Sequence, residues 1–189
     1  MEILFFLSII SLLAFMILAT YDGAYLHLWK YELFNKEEST FEHKTHTARA
    51  LLFPLIVFLL FIDTSIIGFW IGLALVVTDL IVLGIDAYSE KESRSFMNGL
   101  PQWEYILHLF ANSFHFAAII LIIAARTTLT NDGILYSTEF MFHSSFETVQ
   151  LIAVNIIPGA VILGIIHLLL AFNFGKRLYN SNRLKITCC

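Results

Sequence analysis

The amino-acid sequence predicts an all-α, polytopic integral membrane protein, built as a bundle of about five transmembrane helices. Of its 189 residues, 58% are hydrophobic and only 14% are charged, whereas a typical soluble domain carries about 25% charged residues. The mean hydropathy is +0.78, and several apolar runs approach the roughly 20 residues that cross a bilayer. Because the backbone must satisfy its own hydrogen bonds in lipid, such runs form helices. We expect one transmembrane domain to cover residues 1–189.

The first apolar run begins at Ile3. It has no basic segment ahead of it and no small-residue cleavage motif, which favours a membrane helix over a secretory signal peptide. The next run, residues 50–85, is too long for one span and is interrupted by Asp63-Thr64-Ser65. A tight turn at this polar tripeptide therefore predicts two helices. The predicted spans are 3–27, 47–62, 65–87, 104–125 and 148–174.

The basic residues predict the orientation of the bundle. Of the 11 Lys and Arg residues, all but Arg126 fall on one side of the predicted helices, and loops rich in Lys and Arg stay in the cytoplasm. The sequence thus predicts an outer N-terminus, a cytoplasmic loop over residues 28–46 and a cytoplasmic tail over residues 175–189. The outer loop, residues 127–147, is polar and has room for a short amphipathic helix.

Ionisable residues gather at the predicted cytoplasmic ends of the helices. Glu104 and His108 are four residues apart and so project from one helix face. Asp22 and His27 are five apart, so they reach a common site only if their helix departs from regular geometry. Buried acids and imidazoles are costly in lipid and need partners, and a metal ion is one partner that serves several of them. The predicted metal ligands are Asp22, His27, His43, His46, Asp79, Asp86, Glu104 and His108.

The ligand types narrow the choice of metal. Mixed imidazole and carboxylate ligands are typical of iron, manganese or zinc sites, and no cysteine lies near them. The ligands outnumber those that a single zinc ion takes, which favours a di-metal site with two iron ions, zinc or manganese being the alternatives. Glu42 and Glu90 are expected to be catalytic, as proton carriers or supports for the ligands. The resulting hypothesis is an oxidoreductase that acts on a lipid-like or amphiphilic substrate within the bilayer.

Other functions stay open at the level of sequence. A zinc-dependent membrane hydrolase would use the same ligand types. Histidines on facing helices, such as His27 and His108, could bind haem, and Asp79, Asp86 and His115 could relay protons in a transporter or channel. A purely structural membrane protein would need none of these side chains for an activity. The net charge of −4 and the absence of a basic run argue against a nucleic-acid partner.

Several features give no functional prediction. His115 and His167 are expected to pack or support rather than to bind metal. Cys188 and Cys189 are adjacent, so they do not form a framework of structural disulfides. The oligomeric state and the identity of the substrate also stay open. The histidine-rich boxes of membrane hydroxylases and desaturases are absent from the sequence.

Overall fold

The computed structural model describes residues 1–131 and 133–187, with backbone alone for residues 184–187. The chain in these ranges forms a helical bundle with a small β-hairpin at one end. The helices are α1 (Glu2–Thr20), which continues as a π-helix over Tyr21–Lys30, α2 (Thr40–Val57), which continues as a π-helix over Phe58–Ile62, α3 (Ile66–Ser93), α4 (Gln102–Ala125), α5 (Ser144–Leu170) and α6 (Asn173–Thr187). Short 3₁₀ turns occupy Leu33–Asn35, Ser95–Met97 and Glu139–Phe142, and the strands are β1 (Thr127–Thr130) and β2 (Gly133–Tyr136).

Five helices of the described chain are long and apolar enough to cross a membrane. They are Glu2–Lys30, Thr40–Ile62, Ile66–Ser93, Gln102–Ala125 and Ser144–Leu170. Large apolar side chains cover their outer surfaces, including Ile17, which is 72% exposed, and Ile67, which is 70% exposed. Apolar side chains on the outside of a bundle are stable only against an apolar solvent. The helical class and the number of long helices agree with the sequence prediction, and the pattern is consistent with a multi-pass membrane protein.

The helix ends differ from the predicted boundaries because polar residues extend several helices. Helix α2 already begins at Thr40, so the second half of the expected loop 28–46 is helical. Ser39 precedes it and donates to the Ser93 carbonyl at 2.7 Å, which ties the start of α2 to the end of α3. The expected tail, residues 175–189, is largely the helix α6 as far as Thr187. Cys188 and Cys189 lie outside the described residues.

The predicted turn between α2 and α3 is confirmed. The backbone N–H of Ser65 donates to Asp63 at 2.9 Å, and this bond lowers the pKa of the Asp63 carboxyl. Ser65 in turn accepts from the Gly68 backbone N–H at 2.9 Å and so caps α3. A Cβ atom at Gly68 would lie 1.7 Å from Asp63 Oδ2, so the turn requires glycine there.

The outer loop contains a β-hairpin instead of an amphipathic helix. Strand β1 pairs antiparallel with β2, with Thr127 opposite Tyr136. Arg126 is fully buried beneath the hairpin and donates to the carbonyls of Leu59 at 3.0 Å and Leu60 at 2.7 Å. Such carbonyls at a helix end have no partner within their own helix. The hairpin is therefore held to the end of α2, and we call this the hairpin end of the bundle.

The interior of the bundle divides into an apolar half and a polar half. The apolar core lies toward the hairpin end and includes Phe5, Leu12, Phe61, Phe69 and Ile122, all 2% exposed or less. Six of the seven histidines lie toward the other end, which we call the site end. His143, the seventh, lies near Phe5 with 6.5 Å between ring centroids. The gathering of polar side chains at one end agrees with the sequence prediction.

Candidate metal centre

The end of α1 departs from α-helical geometry where its two polar residues lie. Residues Tyr21–Lys30 form a π-helix, in which hydrogen bonds join residues five apart. Side chains five apart then lie on one face, and His27 Nε2 comes to 3.3 Å from Asp22 Oδ1. The five-residue spacing that does not suit a regular α-helix is thus accommodated by the local backbone.

A first group of potential ligands joins α1 to α4. It consists of Asp22, His27, Glu104 and His108, each of which offers a ligand atom within 4.8 Å of the others. His108 Nε2 donates to Asp22 Oδ1 at 3.1 Å. Glu104 is fully buried and His27 is 1% exposed. The group therefore holds two carboxylates and two imidazoles at the level where α1 meets α4.

A second group joins α1 to α2 and shares His27 with the first. Its members are His27, Glu42 and His46, with ligand atoms again within 4.8 Å of one another. His46 Nε2 lies 3.7 Å from Glu42 Oε1, and the ring centroids of His27 and His46 are 4.1 Å apart. The structure thus brings six of the predicted site residues into two adjoining groups. Glu42, expected as a catalytic residue, lies in the second group of potential ligands.

Two further predicted residues support the groups from outside. Glu90 Oε1 lies 2.6 Å from His108 Nδ1, so it can hold the ring with Nε2 directed at the first group. Asp86 Oδ2 lies 3.2 Å from His46 Nε2, and Asp86 also accepts a short hydrogen bond from Thr45. Glu90 lies on the ring nitrogen of His108 opposite the one that faces the first group, so it can orient that ring and raise its basicity, whereas Asp86 contacts the same His46 nitrogen that faces Glu42.

Two predicted ligands, His43 and Asp79, are not brought to the groups. His43 Nε2 donates to the backbone carbonyl of His167 at 3.1 Å, and the two rings stack at 5.4 Å. Three residues along an α-helix leave two side chains roughly 60° apart about the axis, and this offset turns His43 toward α5 while His46 faces the site. Asp79 lies about 10 Å deeper than Asp86 by helical rise and pairs instead with Arg49 at 3.1 Å and His115 at 3.1 Å.

Arg94 is a site residue that the sequence prediction missed. Its side chain is fully buried, and Nη2 lies 2.7 Å from Glu104 Oε1, 3.0 Å from Glu42 Oε1 and 3.1 Å from His27 Nε2. Tyr31 covers the guanidinium at 5.4 Å, and burial raises the pKa of its phenol, which keeps it neutral. The sequence pattern assigns Arg94 to the basic residues of a cytoplasmic loop. Its position one helical turn after Glu90 is the signal that could have placed it beside the acids.

The charge of the cluster favours cations beyond Arg94. Five carboxylates lie at this level against the one buried guanidinium; they are Asp22, Glu42, Asp86, Glu90 and Glu104. Glu42 Oε1 lies 3.7 Å from His46 Nε2, and these two atoms are flanked by Arg94 Nη2 at 3.0 Å and Asp86 Oδ2 at 3.2 Å. Carboxylates buried together in this way need positive charge beside them, and a metal ion would supply more of it than Arg94 alone.

A cavity of about 320 Å³ opens beside the cluster. Its polar wall includes His46, Asp86, Glu90 and His108, while the fully buried Glu42 and Glu104 lie behind it. The cavity continues into the bundle between apolar side chains and ends at a deeper polar group. Its lining includes Phe15, Phe53, Leu83, Leu163, Arg49, Asp79, Asn112 and His115. A molecule in this cavity would contact both the metal ligands and the membrane interior.

Comparison with models of known protein families, with curated proteins and with solved structures found no match. The described residues form two groups of potential metal ligands that share His27 and lie beside a cavity.

Metal titration of alanine variants tests the shared role of His27. Zinc serves as a redox-inert probe for metal-free protein. The wild type should bind about two zinc ions per chain, and the His46→Ala and His108→Ala variants about one each, because each variant removes one ligand group. The His27→Ala variant should lose both sites. Isothermal titration calorimetry measures all four stoichiometries.

The His143→Ala variant is the matched control, since His143 lies near Phe5 at the hairpin end. It should bind zinc as the wild type does. Unchanged zinc binding in the His27→Ala variant would contradict the two groups described here.

Proposed function

We propose that this protein is a multi-pass membrane metalloenzyme whose two metal ions, iron by preference, oxidise a lipid-like or amphiphilic substrate. The observation that carries the proposal is the pair of ligand groups that share His27 and border a largely apolar cavity. Helix bundles with di-metal carboxylate sites use glutamate and histidine ligands from facing helices. Here the ligands come from α1, α2 and α4, with supporting carboxylates from α3.

The charge of the cluster supports two metal ions. With the imidazoles neutral, as metal ligation requires, five carboxylates and one guanidinium remain, and two divalent cations balance their net charge. Carboxylates buried at this density without that balance would be strongly destabilising. The two ligand groups offer one position for each ion, and His27 lies at their junction.

The proposed reaction needs a metal pair that activates dioxygen, a proton carrier and carboxylates that hold the metal. A bound metal pair would supply activation of dioxygen. In a hydroxylation the substrate's C–H bond breaks, a C–O bond forms, and the second oxygen atom leaves as water with electrons from an external reductant. Glu90 lines the cavity with 17% side-chain exposure, which suits a proton carrier. Glu42 and Glu104 are fully buried and suit metal ligation.

Zinc-dependent hydrolysis is the second candidate, on one specific observation. The group His27, Glu42 and His46 contains two histidines and one glutamate, a ligand set that catalytic zinc sites use. Haem is less well supported, because Asp22 Oδ1 lies within 3.3 Å of both His27 Nε2 and His108 Nε2. That carboxylate occupies the space in which a porphyrin would lie between the two rings.

Reaction with dioxygen distinguishes the two candidates. Protein loaded anaerobically with ferrous iron should consume dioxygen rapidly, at about one O₂ per two iron ions in the absence of a reductant, because each iron supplies one electron. An oxygen electrode measures the uptake. Zinc-loaded protein and the His27→Ala variant are the controls and should consume none. Hydrolysis of 4-nitrophenyl esters by the zinc-loaded protein alone, without dioxygen uptake by the iron-loaded protein, would favour the hydrolase and overturn the oxidase.

We further propose that the site end faces the cytoplasm, as the distribution of Lys and Arg predicts. Helix α6 contacts the site end, where Tyr179 donates to the Leu28 carbonyl, and Cys188 and Cys189 follow this helix in the sequence. A membrane-impermeant maleimide should therefore label them only after the cells are permeabilised. A Cys188→Ser/Cys189→Ser protein carrying Asn131→Cys provides the control, because Asn131 is exposed at the hairpin end. This variant should be labelled in intact cells, and the opposite pattern would reverse the topology.

A further inference from the structure

The inner end of the cavity holds a polar group that the metal site does not use. Asp79 is 2% exposed and is paired on both oxygens, with Arg49 Nε at 3.1 Å on Oδ1 and His115 Nε2 at 3.1 Å on Oδ2. Arg49 Nη2 donates to Asn112 Oδ1 at 2.9 Å. The charges of Asp79 and Arg49 cancel, so this inner polar group (Arg49, Asp79, Asn112 and His115) is neutral when His115 is neutral.

The inner polar group presents hydrogen-bond donors to the cavity. Each oxygen of the Asp79 carboxylate and of the Asn112 side chain already accepts one hydrogen bond within the group. Arg49 Nη1 and Asn112 Nδ2 have no hydrogen-bond acceptor among the described residues, although both side chains line the cavity. Arg49 keeps 16% of its side chain exposed there. Donors that line a largely apolar cavity are suited to the oxygen of a bound molecule.

The charges of the inner polar group favour a neutral oxygen over an anionic one. A carboxylate or phosphate would add a negative charge that the paired Asp79 and Arg49 do not compensate, which is costly within a membrane. A neutral carbonyl oxygen accepts from both free donors without adding charge. The side walls are apolar, with Phe15 and Phe53 on one stretch and Leu83 and Leu163 on another. They suit a hydrocarbon chain.

The distance between the inner polar group and the metal ligands determines how such a molecule would lie in the cavity. His108 and His115 lie on α4 about 10 Å apart by helical rise, one at the metal ligands and the other at the inner polar group. A molecule held at the inner end would therefore extend its hydrocarbon toward His108. The volume of about 320 Å³ is at the small end of ligand sites, which run from roughly 300 to 1,000 Å³. It suits a medium-chain molecule or one segment of a longer lipid.

We propose that Arg49 and Asn112 bind the neutral carbonyl oxygen of a hydrophobic molecule, whose hydrocarbon chain then lies along the cavity toward the metal ligands. Asp79 and His115 position Arg49 for this contact. That the molecule is the substrate rests on the proposed oxidoreductase function. The binding site itself does not, because its residues are separate from both ligand groups.

Binding to metal-free protein tests this site independently of any activity. The probes are a medium-chain methyl ketone, the alkane of the same length and the fatty acid of the same length, titrated into detergent-solubilised protein by calorimetry. The ketone should bind more tightly than either of the other two. In the Asn112→Leu variant its affinity should fall by about tenfold, the loss expected for one hydrogen bond, while binding of the alkane is unchanged.

The Asn155→Leu variant is the matched control, because Asn155 is exposed on α5 and bonds only to its own helix at Leu151. It should bind the ketone as the wild type does. If the Asn112→Leu variant does not fold, the Arg49→Lys variant serves instead. Lysine keeps a positive charge beside Asp79 but lacks the Nη1 donor of Arg49. Equal binding of ketone and alkane, or tighter binding of the fatty acid, would overturn the proposal. Zinc titration of the same variants shows separately whether the metal groups are intact.

Discussion

The folded bundle depends on offsetting the mutual repulsion among its buried carboxylates. Acids from α1, α2, α3 and α4 meet at one depth near His27, although like charges in a poorly solvated interior disfavour one another. Arg94 offsets part of that repulsion through Glu42 and Glu104. Offsetting the rest of the repulsion requires further positive charge at the same place. Metal ions at the two ligand groups would supply it and would also link the helices that carry the ligands.

The features that could be predicted from sequence are those with a periodic or compositional cause. Apolar runs of membrane length predict long helices, and the structure contains five of them. The polar tripeptide at Asp63 predicts a turn, and Ser65 caps the helix that follows it. The same reasoning predicts acids and histidines at one end of the bundle. Six of the ten predicted site residues come together in the two ligand groups, and Asp86 and Glu90 contact them.

The remaining features depend on packing that a single sequence does not encode locally. His43 and His46 differ only by their rotation about α2, and the neighbouring helix decides which of them reaches the site. Asp79 fits the same helix face as Asp86, but Arg49 and His115 compensate its charge at a deeper level. The buried position of Arg94 requires the end of α3 to fold against α2 and α4. The π-helix at Tyr21–Lys30 was implied only by the spacing of Asp22 and His27.

The central claim is that metal ions hold the acids and imidazoles together, and elemental analysis tests it most directly. Protein purified without a histidine tag, from cells supplied with iron, manganese and zinc, is measured by inductively coupled plasma mass spectrometry. The account predicts about two metal ions per folded chain, iron foremost, as in other di-metal helix bundles. Folded protein with a negligible content of all three metals would contradict it, and Arg94 with its carboxylates would then be a structural ion-pair network.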